Sequence, residues 1–310
     1  MPEGLSLFNH QRTKGENRIM SQSRSQAHSQ DESQQQMDQA VLEKRMGGIR
    51  QKILVMSGKG GVGKSTVAVR LAVGLAEAGC SVGLLDVDIH GPSVPQLLGL
   101  QGREIRADEQ AMQPVMVHDR LKVMSIGFLV SSAQDAVIWR GPMKYHVIRQ
   151  FLKDVDWGPL DYLVVDSPPG TGDEPLSVAQ LVGKPAMALL VTTPQDLAVS
   201  DVRRSVSFCR AVDLPVLGIV ENMSGYVCPS CGHHVDIFKT GGGETLAAET
   251  GVDFLGKVPL DPGIVAQGDA GHSLTDRQEP RVSEQGFRQI VETILERTRA
   301  GRVVLNVLNE

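Results

Sequence analysis

Aromatic side chains are scarce in this chain: Phe, Trp and Tyr make up only 4% of its 310 residues. A core built with so few must rest on Val, Leu, Ile and Ala. At 41% hydrophobic content the chain has enough of these to bury a sizeable core. Four cysteines are too few for a disulfide scaffold, and in a cytosolic chain they are metal ligands or buried thiols. No apolar run approaches the roughly 18 residues of a membrane-spanning helix, so no membrane partner is expected. The N-terminus has no apolar signal-peptide core, which points to the cytoplasm. Basic charge is not in excess. The 31 Lys and Arg stand against 36 Asp and Glu, a formal net charge of −5, which does not favour a nucleic-acid surface.

What is present falls into a tail and one domain. Residues 1 to about 35 are polar, and Ser21 to Gln36 is mostly Ser and Gln. Such a composition cannot offset chain entropy, so a disordered tail is expected, with a short lead-in helix over Met37 to Met46 completing residues 1–48. Residues 49–300 read as one domain and 301–310 as a C-terminal tail. Within the domain, short apolar runs alternate with helical patterns. Expected strands are Ile53–Met56, Ser81–Leu85, Leu121–Ile126, Tyr162–Val165, Met187–Val191, Val216–Val220 and Phe254–Val258. Helices fall between them, such as Leu197–Ala211, and the last carries one apolar stripe of Phe287, Ile290, Val291, Ile294 and Leu295. The alternation predicts an α/β fold, a doubly wound, mostly parallel sheet with helices on both faces.

The most informative stretch is Gly58-Lys59-Gly60-Gly61-Val62-Gly63-Lys64-Ser65-Thr66. It fits G-x-x-x-x-G-K-[ST], the loop that binds the phosphates of a nucleoside triphosphate such as ATP. It follows an apolar strand and precedes Val67, Leu71 and Leu75 at helical spacing, with Gly79 expected to cap the helix. Glycines let successive N–H groups turn inward as an anion nest, and the helix adds its positive end. Lys64 is expected at the β- and γ-phosphates, Ser65 on Mg²⁺, and Thr66 at the α-phosphate. Asp166 closes a second apolar strand in D-Y-L-V-V-D-S-P-P-G-T-G-D, where a carboxylate is placed to hold the Mg²⁺ shell. Gly170 and Gly172 would let the following loop approach the γ-phosphate. In L-L-D-V-D-I-H, Asp88 is expected to orient the attacking water and Asp86 to support the metal or Lys64, although either could instead cap a turn. Asn222, expected just after its strand, is a candidate for the adenine.

Cys228-Pro229-Ser230-Cys231 offers two thiols at C-x-x-C spacing. A [4Fe–4S] cluster takes four thiolates, and a two-fold dimer would supply them from two chains. Two alternatives stand beside this. His233 and His234 could complete a zinc site within one chain, or the pair could be a redox dithiol at a helix N-terminus. Cys80 and Cys209 stand alone on apolar elements and are expected to be buried and inert.

The run K-G-G-x-G-K-[ST] from Lys59 resembles the deviant phosphate loop of the ATPases that include nitrogenase iron protein and the septum-site and partition ATPases. That resemblance implies that Lys59 crosses a dimer interface to the partner's nucleotide. A narrower resemblance runs from about Ile49 to the last helix. It rests on S-G-K-G-G-V-G-K-S-T from Ser57, D-V-D-I-H-G-P-S from Asp86, W-R-G-P-M from Trp139, D-S-P-P-G-T-G-D from Asp166, T-P-Q-D-L-A from Thr193, E-N-M-S from Glu221 and C-P-S-C from Cys228. With these the chain resembles the Mrp-type (ApbC-like) iron–sulfur cluster carrier ATPases of the MinD/ParA-like superfamily. The resemblance implies a cytosolic homodimer that takes a [4Fe–4S] cluster from scaffold donors on Cys228 and Cys231 of both chains. It implies delivery to apo-proteins and slow ATP hydrolysis. The tail has no cysteine, so no N-terminal cluster site is implied. A positioning or partition ATPase is the rival within the superfamily. However, the helical pattern breaks at Gly301, little basic charge follows Arg302, and no basic stripe for DNA is evident. An ATP-binding dimer with structural zinc is the other rival.

Overall fold

The computed structural model of the protein describes residues 33, 35–89, 91–108, 111–129, 141–228, 230–271, 273–275 and 282–299. Most of the Ser/Gln-rich stretch, His90, Trp139, Pro229 and the C-terminal tail lie outside them. Contacts divide the chain into Met1–Lys44 and Arg45–Glu310. In the first unit the helix over residues 35–47 (α1) begins, with a 2.9 Å hydrogen bond from Gln39 to Glu43 one turn on.

The second unit runs β1 (Ile49–Ser57), α2 (Lys64–Glu77), β2 (Val82–Asp86), α3 (Val94–Leu97), β3 (Arg106–Ala107), β4 (Met112–Gln113), β5 (Val115–His118), β6 (Leu121–Ser125), α4 (Gly141–Asp154), β7 (Leu160–Asp166) and α5 (Asp173–Val182). It continues through β8 (Ala186–Thr192), α6 (Asp196–Ala211), β9 (Val216–Val227), β10 (His234–Val235), α7 (Gly242–Thr250), β11 (Phe254–Leu260), α8 (Pro262–Asp269) and α9 (Glu284–Arg299).

One sheet orders its strands β10-β9-β8-β1-β7-β2-β6-β5, and β11 also pairs with β9. All neighbours are parallel except the short edge strands β10 and β5. The expected doubly wound, mostly parallel sheet is therefore present. Its central strands are covered on both faces, which explains why Ile53–Met56 and Leu163–Val165 are continuous apolar runs, all fully buried. The chain leaves β1 toward β2 on one side and later fills β8 and β9 on the other, so the β1 end is a topological switch point.

Register carries the polar groups to that end. Val55 of β1 pairs with Asp166 of β7, Asp166 with Asp86 of β2, and Asp86 with Ser125 of β6. The helix α2 stops where Gly79 adopts φ +90°. Cys80 N–H then reaches the Leu75 carbonyl at 3.1 Å and Gly79 N–H the Ala76 carbonyl at 3.0 Å, the paired bonds of a Schellman cap. The stripe expected on the last helix lies on α9, and all five residues are buried. Gly74 of α2 permits the close approach, since a methyl there would stand 2.7 Å from Val291 Cγ2. Among the described residues no helix is long and apolar enough to cross a membrane.

Two expected boundaries are well off: β1 begins at Ile49 and not Ile53, and the end of β9 bears on the site. The strand from Val216 does not stop at Val220 but runs to Val227, so Asn222 sits inside β9 rather than after it. The short strands β3, β4, β5 and β10 were not expected either.

Candidate nucleotide and cysteine site

Gly63 lies between β1 and α2 with φ +79° and leaves the N-terminal end of α2 open to an anion. Lys64, the first residue of α2, is buried, and its Nζ is 2.6 Å from Asp166 Oδ1 and 3.2 Å from Asp88 Oδ2. The lysine thus rests on the carboxylates. Burial alone would disfavour its ammonium, but the charges of Asp166, Asp88 and Asp86 outweigh that and hold its pKa above the ordinary value.

Asp86 is fully buried. Its Oδ2 accepts from Ser125 Oγ at 2.8 Å and from Val94 N–H at 3.4 Å, and its Oδ1 accepts from Asp88 N–H at 3.1 Å. Both oxygens are thus engaged by the protein, and through the Asp88 N–H the carboxylate braces the loop that carries Asp88. Burial, and then the neighbouring charge of Asp166, push its carboxyl up to about 8. Asp166 is raised as well. Burial is again the main cause, opposed by Lys64 and by the Ser65 hydroxyl. Its Oδ2 is buried with no hydrogen-bond partner among the described residues. An orphaned carboxylate oxygen beside a Ser65 hydroxyl is a donor set that suits Mg²⁺.

The phosphate loop is held from two sides. Gly58 backs onto Asp201 of α6, and a Cβ at Gly58 would stand closer than 3.0 Å to that residue's backbone. Gly63 lies under Asn222, whose Nδ2 donates to the Val62 carbonyl at 2.9 Å. Ser57 Oγ donates to the Lys59 carbonyl at 2.8 Å, and Gly170 N–H to the Ser57 carbonyl at 2.8 Å. The structure therefore brings Gly58 to Thr66, Asp86, Asp88, Asp166 and Asn222 to one end of the sheet, with Lys59 on the same loop.

Cys228 follows β9, and Cys231 lies in the turn to β10. Cys228 N–H donates to the His233 carbonyl at 3.0 Å and Gly232 N–H to the Cys228 carbonyl at 2.8 Å, closing a tight knuckle. The N–H groups of Ser230 and Cys231 aim at Cys228 and hold its thiol below the ordinary value. Cys231 is exposed. The pair stands on a hairpin turn and not at a helix N-terminus, which removes the basis of the redox-dithiol alternative. His233 and His234 are exposed, and among the described residues no three His, Cys, Asp or Glu side chains gather as a metal site. Cys80 and Cys209 are buried as expected, and burial pushes the Cys209 thiol up to about 12.

Two contributors were missed in the sequence. One is Asp201. The other is Glu221, fully buried, whose carboxylate accepts from Gly241 N–H at 2.8 Å, Gly243 N–H at 2.5 Å and Ser224 Oγ at 2.6 Å. A carboxylate directly after an apolar strand was the available signal for Glu221. Its two glycine partners lie 20 and 22 residues further along the chain.

Over residues 48–295 the sequence matches the family described as ParA: NUBPL iron-transfer P-loop NTPase. A Trichoplax adhaerens protein described as "Cytosolic Fe-S cluster assembly factor NUBP2 homolog" is 48% identical over 263 residues, which is 84% of this chain and 99% of that protein. A solved nucleotide-binding protein from Archaeoglobus fulgidus, in complex with ADP, is 39% identical with a TM-score of 0.68, covering 79% of this chain and 95% of that one. The cell division ATPase MinD of Pyrococcus furiosus has a TM-score of 0.56 at 22% identity, covering 80% and 99%. At that identity the likeness shows the fold alone.

Proposed function

The chain belongs to the iron-transfer P-loop NTPase family, and from that premise we propose that it is a cytosolic, ATP-dependent iron–sulfur cluster carrier. Two chains pair so that Cys228 and Cys231 of each hold one [4Fe–4S] cluster, which is cargo received from a scaffold donor and passed to apo-proteins. The observation that carries this reading is that one strand serves both functions. β9 bears Asn222, bonded to the phosphate loop at Val62, and ends at the cysteine knuckle. A half-buried and an exposed thiol with no third ligand gathered beside them among the described residues make half a cluster site, which a second copy would complete.

On the nucleotide side, Lys64 has two places to be. One is against Asp166 and Asp88, where it is paired in the structure. A bound triphosphate, with more negative charge, draws the ammonium to its β- and γ-oxygens and frees both carboxylates. Ser65 and Asp166 would hold Mg²⁺, which offsets the phosphate charge. Asp88 then orients a water whose oxygen attacks the γ-phosphorus as the bond to the β–γ bridging oxygen breaks, releasing ADP and phosphate. Lys59 reaches the partner's nucleotide, Thr66 the α-phosphate, and Asn222 stands at the adenine side. Asp86 keeps Asp88 in place. Hydrolysis is slow, because assembly of the two halves precedes it.

Transfer from anaerobically reconstituted protein to an apo-acceptor tests this reading. Wild type should restore the acceptor's [4Fe–4S] absorbance with Mg·ATP present, and Cys228→Ala should not. A Lys64→Ala protein that transfers as wild type does, with and without ATP, would remove the nucleotide from the function.

A further inference from the structure

Between Asn222 and the cysteine knuckle, β9 is not regular. Against β11, Val258 pairs with Asn222 but Leu260 pairs with Tyr226, so four steps on β9 face two on its partner. Met223, Ser224 and Gly225 thus stand against Pro259 alone, a surplus of two residues. Met223 has φ +56° and Gly225 φ +72°. For glycine the left-handed region is ordinary, whereas for methionine it is a strained conformation that surrounding structure must hold in place.

The bulge touches both sites. At its root, a Cβ built on Gly63 would lie 3.6 Å from Met223 Cε and closer still to Asn222. The Met223 methyl therefore lies over the phosphate loop. At its far end, a Cβ on Gly225 would lie 3.4 Å from Asp236 Oδ1 and 3.9 Å from the Val235 carbonyl, both on the return arm of the cysteine hairpin. Glu221 anchors the whole excursion. One carboxylate binds Ser224 inside the bulge and also Gly241 and Gly243, where the chain comes back from the hairpin. The cysteine-bearing segment is thus closed at its neck by a single buried group, next to the residue that bonds the phosphate loop.

We infer that the Met223–Gly225 bulge is the element that transmits the state of the phosphate loop to the cysteine pair. The inference rests on the reading that the two sites serve one function. Filling of the anion nest moves Val62 and Gly63, Asn222 and Met223 follow because they lie against them, and Gly225 passes the displacement to the return arm of the hairpin. Strain at Met223 gives the bulge a second accessible arrangement, and the Glu221–Ser224 bond selects between the two. Met223 and Ser224 are positioning residues, since neither touches phosphate nor sulfur in this scheme.

The test uses the full chain, metal-free, and reads the alkylation rates of Cys228 and Cys231 by site-resolved mass spectrometry. Buried Cys80 and Cys209 serve as internal controls. In wild type, a saturating non-hydrolysable ATP analogue with Mg²⁺ should change the rate at Cys228 or Cys231 at least about fivefold. Met223→Gly folds readily, because glycine accepts a positive φ. It should bind the analogue within about twofold of wild type, yet reduce the thiol response to less than about twofold. Ser224→Ala, which removes only the hydroxyl bond to Glu221, should weaken the response in the same direction. A full wild-type response in both variants would overturn the inference, and so would a wild type whose thiols ignore the nucleotide. Neither result bears on whether the thiols hold a cluster, so failure here and failure of the carrier reading are separable.

Discussion

Replacing Gly63 by alanine probes the packing of the phosphate loop under β9, and Gly61 supplies the control. Both glycines have a left-handed backbone, with φ +79° at Gly63 and +80° at Gly61. An L side chain in that region costs about 1–2 kcal/mol at either position. The surroundings differ. A Cβ at Gly61 meets nothing within 4 Å, whereas at Gly63 it would come closer than 3.0 Å to Asn222 Nδ2. Asn222 must then swing away and give up its bond to the Val62 carbonyl, a further loss of roughly 0.5–1.5 kcal/mol. Gly63→Ala should therefore be the more destabilising by about 1 kcal/mol in urea unfolding of nucleotide-free protein. With a slope of about 2 kcal/mol per molar, the two midpoints should differ by roughly 0.5 M. Removing the obstructing amide should relieve the clash, so Gly63→Ala with Asn222→Ala should be less costly than the sum of the singles by about 1 kcal/mol. Equal midpoints for the two glycine variants, or strict additivity in the double variant, would refute the claim that Asn222 clamps the loop.

Three further outcomes follow from the same geometry. Burial raises the Asp86 carboxyl in the folded chain to about 8, against 3.8 for an ordinary aspartate. It thus favours the folded state fully below its unfolded pKa, and that contribution drains away as pH rises toward 8. Between pH 5 and 7 the nucleotide-free wild type should lose up to about 1.4 kcal/mol per unit relative to Asp86→Asn in parallel denaturation series, and parallel curves would contradict the assignment. Glu221→Ala leaves the part-buried N–H of Gly241 and the buried N–H of Gly243 without their acceptor and should cost about 2–4 kcal/mol of unfolding free energy. Ile294→Ala on α9, at a fully buried position, should cost about 2–5 kcal/mol in the same assay, and a loss below about 1 kcal/mol would mean that α9 is not docked as described.

The sequence was most legible where burial is two-sided. β1, β2, β7 and β8 are short apolar runs between turn residues, and nothing but a central strand explains them. The phosphate loop was legible because its glycines, lysine and serine answer to one ligand geometry. Gly79 was legible as the stop of α2 because that cap needs a positive φ. The second half of β9 was not. Glu221-Asn222-Met223-Ser224 is too polar to read as strand, and its polar groups are satisfied by Gly241, Gly243 and Val62, contacts that no local pattern announces. The hydrogen-bond partners of Asp86 were hidden for a related reason, since Ser125 and Val94 come from other elements. The pairing of Lys64 with Asp166 was hidden because the two lie 102 residues apart in the chain.

The account depends on two chains sharing one cluster. Native mass spectrometry of anaerobically reconstituted protein measures this directly. The predicted species is a dimer carrying the mass of one [4Fe–4S] unit, present in wild type and absent in Cys228→Ala. A cluster bound to a monomer, or a dimer with one metal site per chain, would contradict it.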